Sequence, residues 1–221
     1  KPDARGRVLS EDQAAALAAV AVSGRVVDVL VGPAGAGKTT AMNGLRRAWE
    51  KEHGIGSVIG LAPSAGAAQV LSDDLGIATE NTAKWWQNHI MYGATFTAGQ
   101  LVIIDEASLA GTMSLDRLTR EAEKAGAKVL LVGDWGQLQS PGAGGSFAML
   151  VHARDDAPEL TDLHRFTSEW EKTTSLQLRH GRTEAIDTLI EHGRITGGDE
   201  EAMFDAAYTA WRRDLAAGRA S

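Results

Sequence analysis

The sequence predicts an α/β protein: a mainly parallel sheet flanked by helices, followed by a helical C-terminal segment. Three observations predict it. Short β-branched runs alternate with stretches of helical periodicity through the first two thirds of the chain. The runs are almost continuously apolar, as strands covered on both faces are. And "VLVGPAGAGKTTAM" (29–42) is a strand, a glycine-rich loop and a helix start in direct succession.

Taken in order, "SEDQAAALAAVA" (10–21) reads as a helix with Ser10 as N-cap and Gln13 three residues on, the spacing of a capping box. "VVDVLV" (26–31) is the first strand, and helical patterns follow near 38–52, 65–75, 82–91 and 113–125. Between these helices lie "SVIGLA" (57–62), "QLVIID" (100–105) and "KVLLVG" (128–133), each read as a strand. The character changes after about residue 158. From Ser168 onward the chain reads as helical, with turns at "RHGRT" (179–183) and "ITGGD" (195–199). There, Phe204, Tyr208, Trp211 and Leu215 recur at helical spacing and read as a core face.

Composition narrows the function classes. The balance of 22 basic and 29 acidic residues leaves a net charge of −7, so there is no general affinity for phosphate backbones, and contact with nucleic acid requires a local groove. The absence of cysteine excludes disulfides and thiolate metal sites and fits a reducing cytoplasm. No apolar run reaches the roughly 18 residues that span a membrane. His152, His164, His180 and His192 are scattered without metal-ligand spacing. The chain starts at Lys1 rather than Met and stops after "AAGRAS", and it reads as a piece of a longer polypeptide.

The chemistry starts at "GPAGAGKT" (32–39), which fits G-x-x-x-x-G-K-S/T. Glycines there turn backbone N–H groups inward around a phosphate, and the N-terminus of the next helix favours the same anion. Gly35, Ala36, Gly37, Lys38, Thr39 and Thr40 form the predicted nucleotide cradle. Lys38 supplies charge for the β- and γ-phosphates, and the Thr39 hydroxyl suits Mg²⁺. "LVIIDEAS" (101–108) ends a buried strand in two adjacent acids, Asp105 and Glu106. Strand alternation points them in different directions, so one holds the metal and the other orients or deprotonates water. "LLVGDWGQLQS" (130–140) is another apolar strand breaking into a polar loop, and two readings stand: Gln137 reports on the γ-phosphate, or Gly133, Asp134 and Gly136 form a simple turn.

The order Gln13, "GPAGAGKT", "APSAGAA" (62–68), "DEAS", "GDWGQL" (133–138) and "LHRF" (163–166) resembles the first motor domain of superfamily 1 helicases. It is most similar to the RecD-like 5′→3′ branch and, within it, to the helicase part of conjugative relaxase–helicases of the TraI/TrwC kind. The resemblance covers nearly the whole chain. It implies a RecA-like P-loop NTPase in which residues 1–158 form the ATP-binding motor domain and 159–221 begin a second, truncated one. It implies Gln13 on adenine, Asp105 on Mg²⁺, Glu106 on the attacking water, Gln137 coupling the γ-phosphate to DNA, and Arg165 facing that phosphate from the interdomain cleft. It further implies Pro63 and Ser64 in one DNA-contacting loop and Thr82 in the next. Members often carry Gln where Phe166 follows the motif arginine, and the later motifs of the second motor domain are absent.

The expected partners are ATP with Mg²⁺, single-stranded DNA, and the remaining helicase and relaxase domains of the same polypeptide. Between Arg47 and Arg117 there is no arginine, and after His53 the only lysine of that stretch is Lys84, so single-strand contact there falls to hydroxyls, backbone N–H groups and stacking on Trp85 or Trp86. Adjacent helical residues face different ways, so one ring is expected to stack and the other to pack. Two alternatives stand beside the motor reading. One is a DNA-independent P-loop ATPase or nucleotide kinase, and the other is an inactive nucleotide- or DNA-binding module used for recruitment. The isolated piece is expected to hydrolyse ATP slowly.

Overall fold

A computed structural model describes residues 9–137, 145–162 and 166–218. The chain divides into two compact units, Lys1–Thr167 and Ser168–Ser221.

In the first unit five parallel strands form one sheet: β1 (Val27–Val31), β2 (Val58–Ala62), β3 (Thr79–Asn81), β4 (Leu101–Ile104) and β5 (Lys128–Gly133). Their spatial order is β1-β5-β4-β2-β3. Every pairing is parallel, with Val29 opposite Leu131 and Ile103 opposite Leu130. The strands read as buried on both faces, and every residue of β4 and β5, and of β1 from Asp28 on, is buried. The helices are α1 (Glu11–Val22), α2 (Lys38–His53), α3 (Ala65–Leu75), α4 (Thr82–Tyr92), α5 (Thr112–Ala125) and α6 (Ser146–His152). Trp85 of α4, Leu115 and Leu118 of α5 and Phe147 of α6 form one core with Val29, Val102, Ile104 and Leu131. By strand alternation, Leu30, Ile103 and Leu130 project to the other face, where Met42, Leu45 and Leu71 are also buried.

The elements begin where the sequence says they should. Ser10 and Gln13 form the capping box of α1. The Ser64 and Asn81 side chains cap α3 and α4 by accepting from the N–H groups of Ala67 and Lys84. The short strand β3, the helix α6 and a 3-10 turn at Ala107–Leu109 are additions that the periodicity does not reveal.

Residues beyond 158 stay with the sheet for a few positions. Val31 N–H donates to Pro158, and Leu160 N–H donates back to Val31, as an extra parallel bridge alongside β1. The division therefore falls after Thr167, later than the change in composition near 158.

The second unit holds α7 (Glu169–Arg179), α8 (Glu184–Glu191) and α9 (Glu200–Ala216), with Thr174 and Ala185 buried. The stripe on α9 is not a core face here. Phe204, Tyr208, Trp211 and Leu215 are 69, 57, 48 and 47% exposed, and no residue of α9 is buried.

Candidate nucleotide site and strand-end loops

In a parallel sheet all the carboxyl ends lie along one edge, and loops leaving that edge form the usual ligand crevice of open α/β proteins. Here β1 leads into the P-loop, β2 into Pro63 and Ser64, β3 into Thr82, β4 into Asp105 and Glu106, and β5 into Asp134–Gln137. The topology thus brings the P-loop, Pro63, Ser64, Thr82, Asp105, Glu106 and Gln137 to one edge of the sheet.

The P-loop is shaped by its glycines. Gly35 and Gly37 have φ of 87° and 77°, and Gly37 is the N-cap of α2. At Gly32 a Cβ would stand 3.1 Å from the Lys38 Cγ, so the lysine stem can lie across the loop only because that side chain is missing. Lys38 Nζ donates to the carbonyl oxygens of Gly32 at 2.8 Å and Pro33 at 3.3 Å, which holds the ammonium inside the loop. Gly32 N–H in turn donates to Gly133 O, tying the ends of β1 and β5 together.

Gln13 is buried, and its side chain works twice. Oε1 accepts from Ser10 N–H at 3.1 Å, and Nε2 donates to the carbonyls of Ala36 and Gly37 at 3.4 Å each. The start of α1 is thereby hydrogen-bonded to the phosphate loop.

Asp105 and Glu106 follow β4. Burial raises the Asp105 carboxyl above the usual carboxylate range, and the charges of Glu106 and Asp74 add to that rise. A hydrogen bond from Glu106 N–H, 2.9 Å to Oδ1, and the Lys38 charge oppose it in part. Such a desolvated carboxylate gains from a nearby cation, and the set of Thr39, Asp105 and substrate phosphates is one that suits Mg²⁺, which takes few protein ligands. Among the described residues no cluster of three or more His, Cys, Asp or Glu offers an all-protein metal cage. Glu106 is the only non-glycine residue with positive φ among those described, at φ 52° and ψ 37°. Strained backbone of this kind gathers at functional positions.

Residues 8–200 match the AAA domain family. The chain belongs to that family. The conjugal transfer protein TraA of Rhizobium radiobacter is 36% identical over 192 residues, 86% of this chain and 17% of that protein. The chain spans only 17–18% of the length of the curated relatives it matches. Among solved structures, Pif1 helicase from Candida albicans superposes with a TM-score of 0.59 at 15% identity, over 88% of this chain and 50% of that one. Bacteroides Pif1 bound to single-stranded DNA gives 0.54 at 20% identity, over 84% and 50%. At these identities the structural likeness is one of fold, and it agrees with the predicted P-loop NTPase architecture.

In this AAA domain the other candidates lie as follows. Gln137 is exposed, and its N–H donates to Asp134 O at 3.3 Å. Pro63 is half-buried and Ser64 exposed, whereas Thr82, expected in a DNA-contacting loop, is buried at the start of α4. Thr40 is in the first turn of α2. Arg165, with Leu163 and His164, lies outside the described residues.

The two tryptophans of α4 differ sharply. Trp85 is buried and stacks on Phe96 at 4.1 Å, so its ring belongs to the core and is not offered to a ligand. Trp86 is half-buried, with the Arg117 guanidinium 5.4 Å from its ring centre.

Two residues in these surroundings carried no signal in the sequence. Arg117 reaches Trp86 only through the packing of α5 beside α4. Asp12 accepts from the N–H groups of Thr161 at 3.2 Å and Asp162 at 3.4 Å, partners 149 and 150 positions away. Burial alone would raise the Asp12 carboxyl; hydrogen bonds from Ser10, Gln13, Asp162 and Thr161 outweigh it and hold the group below the ordinary value.

Proposed function

We propose that this AAA domain is the ATP-hydrolysing motor of a 5′→3′ DNA helicase of the conjugative relaxase kind, and that it couples turnover to movement on single-stranded DNA. One observation carries the reading: strand β5 lies between β1 and β4. Two strand spacings, about 9–10 Å, therefore separate the P-loop strand from the carboxylate strand. That leaves room for a γ-phosphate and an attacking water, with the loop after β5 facing the gap.

In the proposed reaction Lys38 exchanges its loop carbonyls for the β- and γ-phosphate oxygens. Gln13, bonded to the P-loop, borders the base. Thr39 and Asp105 would hold Mg²⁺, which when bound neutralises charge developing on the phosphates. Glu106 accepts the proton of the water that attacks the γ-phosphorus, as the bond to the β,γ-bridging oxygen breaks. Gln137 and Arg165 respond to loss of the γ-phosphate, and Pro63 and Ser64 contact the strand. The similarity to conjugal transfer proteins several times longer supports a place within a larger polypeptide with further helicase and relaxase domains.

The test is ATP turnover with and without oligo-dT. Turnover that rises with oligo-dT, is lost in Lys38→Ala together with nucleotide binding, and falls about 10²–10⁴-fold in Glu106→Gln with binding retained, is expected. Turnover indifferent to DNA would favour a DNA-independent ATPase. Unaltered nucleotide affinity in Lys38→Ala would end the phosphate-cradle reading.

A further inference from the structure

The geometry points to a subsite for one base of single-stranded DNA in the cleft between α4 and α5, with Trp86 stacking on the base and Arg117 taking the adjoining phosphate. The inference rests on the single-strand reading above and adds the residues that grip the strand.

The cleft holds about 240 Å³ and is lined by Thr82, Ala83, Trp86, Ser114, Arg117 and Leu118. Clefts for drug-sized ligands run to roughly 300–1,000 Å³, so this one suits a single flat ring system. Its chemistry matches a nucleotide. There is one aromatic face, one guanidinium, two hydroxyls and a leucine, and no carboxylate among the lining residues. That composition stands out in a chain of net charge −7. The cleft opens where α4 leaves β3, so Thr82 joins it to the sheet edge that carries the P-loop, Pro63 and Ser64. The first turn of α5, whose N-cap Gly111 has no side chain to bond, adds N-terminal dipole to the same region.

The ring of Trp86 is prepared for stacking. His89 stacks on it at 4.9 Å and on Trp85 at 5.7 Å, and Trp85 is itself anchored on Phe96, so the indole is backed by a column reaching into the core. Over the ring lies Arg117, which is exposed. An exposed cation–π contact is worth only about 0.5–1 kcal/mol, so the guanidinium leaves the ring readily for a phosphate. A base then takes the vacated face. An aromatic side chain of a protein partner would fill the ring face equally well, but it would give the lone cation of the lining nothing to pair with.

The experiment measures binding of labelled oligo-dT, and of the same oligomer with abasic sites, to the 221-residue chain by fluorescence anisotropy across a salt series. The variants are Trp86→Leu, Trp86→Phe and Arg117→Ala, each checked for folding by circular dichroism. Trp86→Leu is expected to weaken oligo-dT binding about tenfold, within the range for loss of one stacked base. Trp86→Phe should stay near the unsubstituted chain, and abasic DNA should not distinguish either Trp86 variant from the unsubstituted chain. Arg117→Ala should lower the salt slope by about 0.7, the release of one counterion on a single strand. If Trp86→Leu does not fold, the salt slope of Arg117→Ala still decides. Binding to oligo-dT that ignores both positions overturns the subsite and leaves the motor reading standing. Equal losses on abasic and normal DNA mean that Trp86 is only packing. A chain that binds no single strand at all overturns both.

Discussion

Glu106 offers a test in which the sign of the answer, not only its size, follows from the backbone. Its φ of 52° and ψ of 37° are left-handed helical. The residue is held there from both sides: its N–H donates to Asp105 Oδ1 at 2.9 Å, and its carbonyl accepts from Leu109 at 2.9 Å. A residue with a Cβ in this region costs roughly 1–2 kcal/mol that glycine does not. Glycine at an ordinary helix or strand position is about 0.5–1 kcal/mol less stable than alanine, because it has more freedom to lose on folding. Subtracting the second range from the first, Glu106→Gly should be more stable than Glu106→Ala by about 0.75 kcal/mol at mid-range and by about 1.5 kcal/mol at most. Both variants lose the carboxylate, so charge and hydration largely cancel in the comparison. In a domain of this size the mid-range figure is a difference of about 1.5–3 °C in Tm. Differential scanning calorimetry without nucleotide reads it directly, and Glu106→Gln separates the two roles by keeping the strain while losing the base. An alanine variant as stable as the glycine variant, or more so, would show that no strain is held at this position.

Two further predictions concern buried charge. Asp28 in β1 pairs with Lys128 Nζ at 2.7 Å, and both side chains are almost fully buried. Removing one partner of such a pair costs about 3–5 kcal/mol, so Asp28→Ala should lower the urea midpoint strongly, while Asp28→Leu combined with Lys128→Met should recover only part of the loss, because Arg154, 3.6 Å from Asp28, also loses its carboxylate; a single variant within about 0.5 kcal/mol of the parent would make the pair energetically idle. Asp105 has a carboxyl pushed up by burial, so its charged form opposes folding at neutral pH and its stability contribution is lost as pH rises through the folded-state value. Asp105→Asn should therefore stabilise the metal-free chain at neutral pH, with a gain that shrinks as pH falls toward the ordinary value of 3.8; a gain independent of pH would refute the desolvation account.

Much of this was legible from the sequence because its causes are local. Glycines that permit φ near 80°, a lysine at the first position of α2, the cap at Ser10 and apolar runs of strand length all act within a few residues of themselves. The long helices of the first unit and four of its strands follow from these alone. The strand Thr79–Asn81 escaped because it is short, polar and at the sheet edge, so it has no apolar run to announce it.

What only the tertiary structure decided is who meets whom. That β5 enters between β1 and β4 comes from pairing across the sheet, to which the local pattern of either strand is blind. The pairing of Trp86 with Arg117 and of Asp12 with Thr161 arises from elements packed side by side, and neither contact leaves a trace in spacing. Helical geometry sends adjacent tryptophans to different faces, but which face meets the sheet is set by the surroundings. Phe96 and the β4 side chains claim Trp85, and Trp86 is left at the cleft.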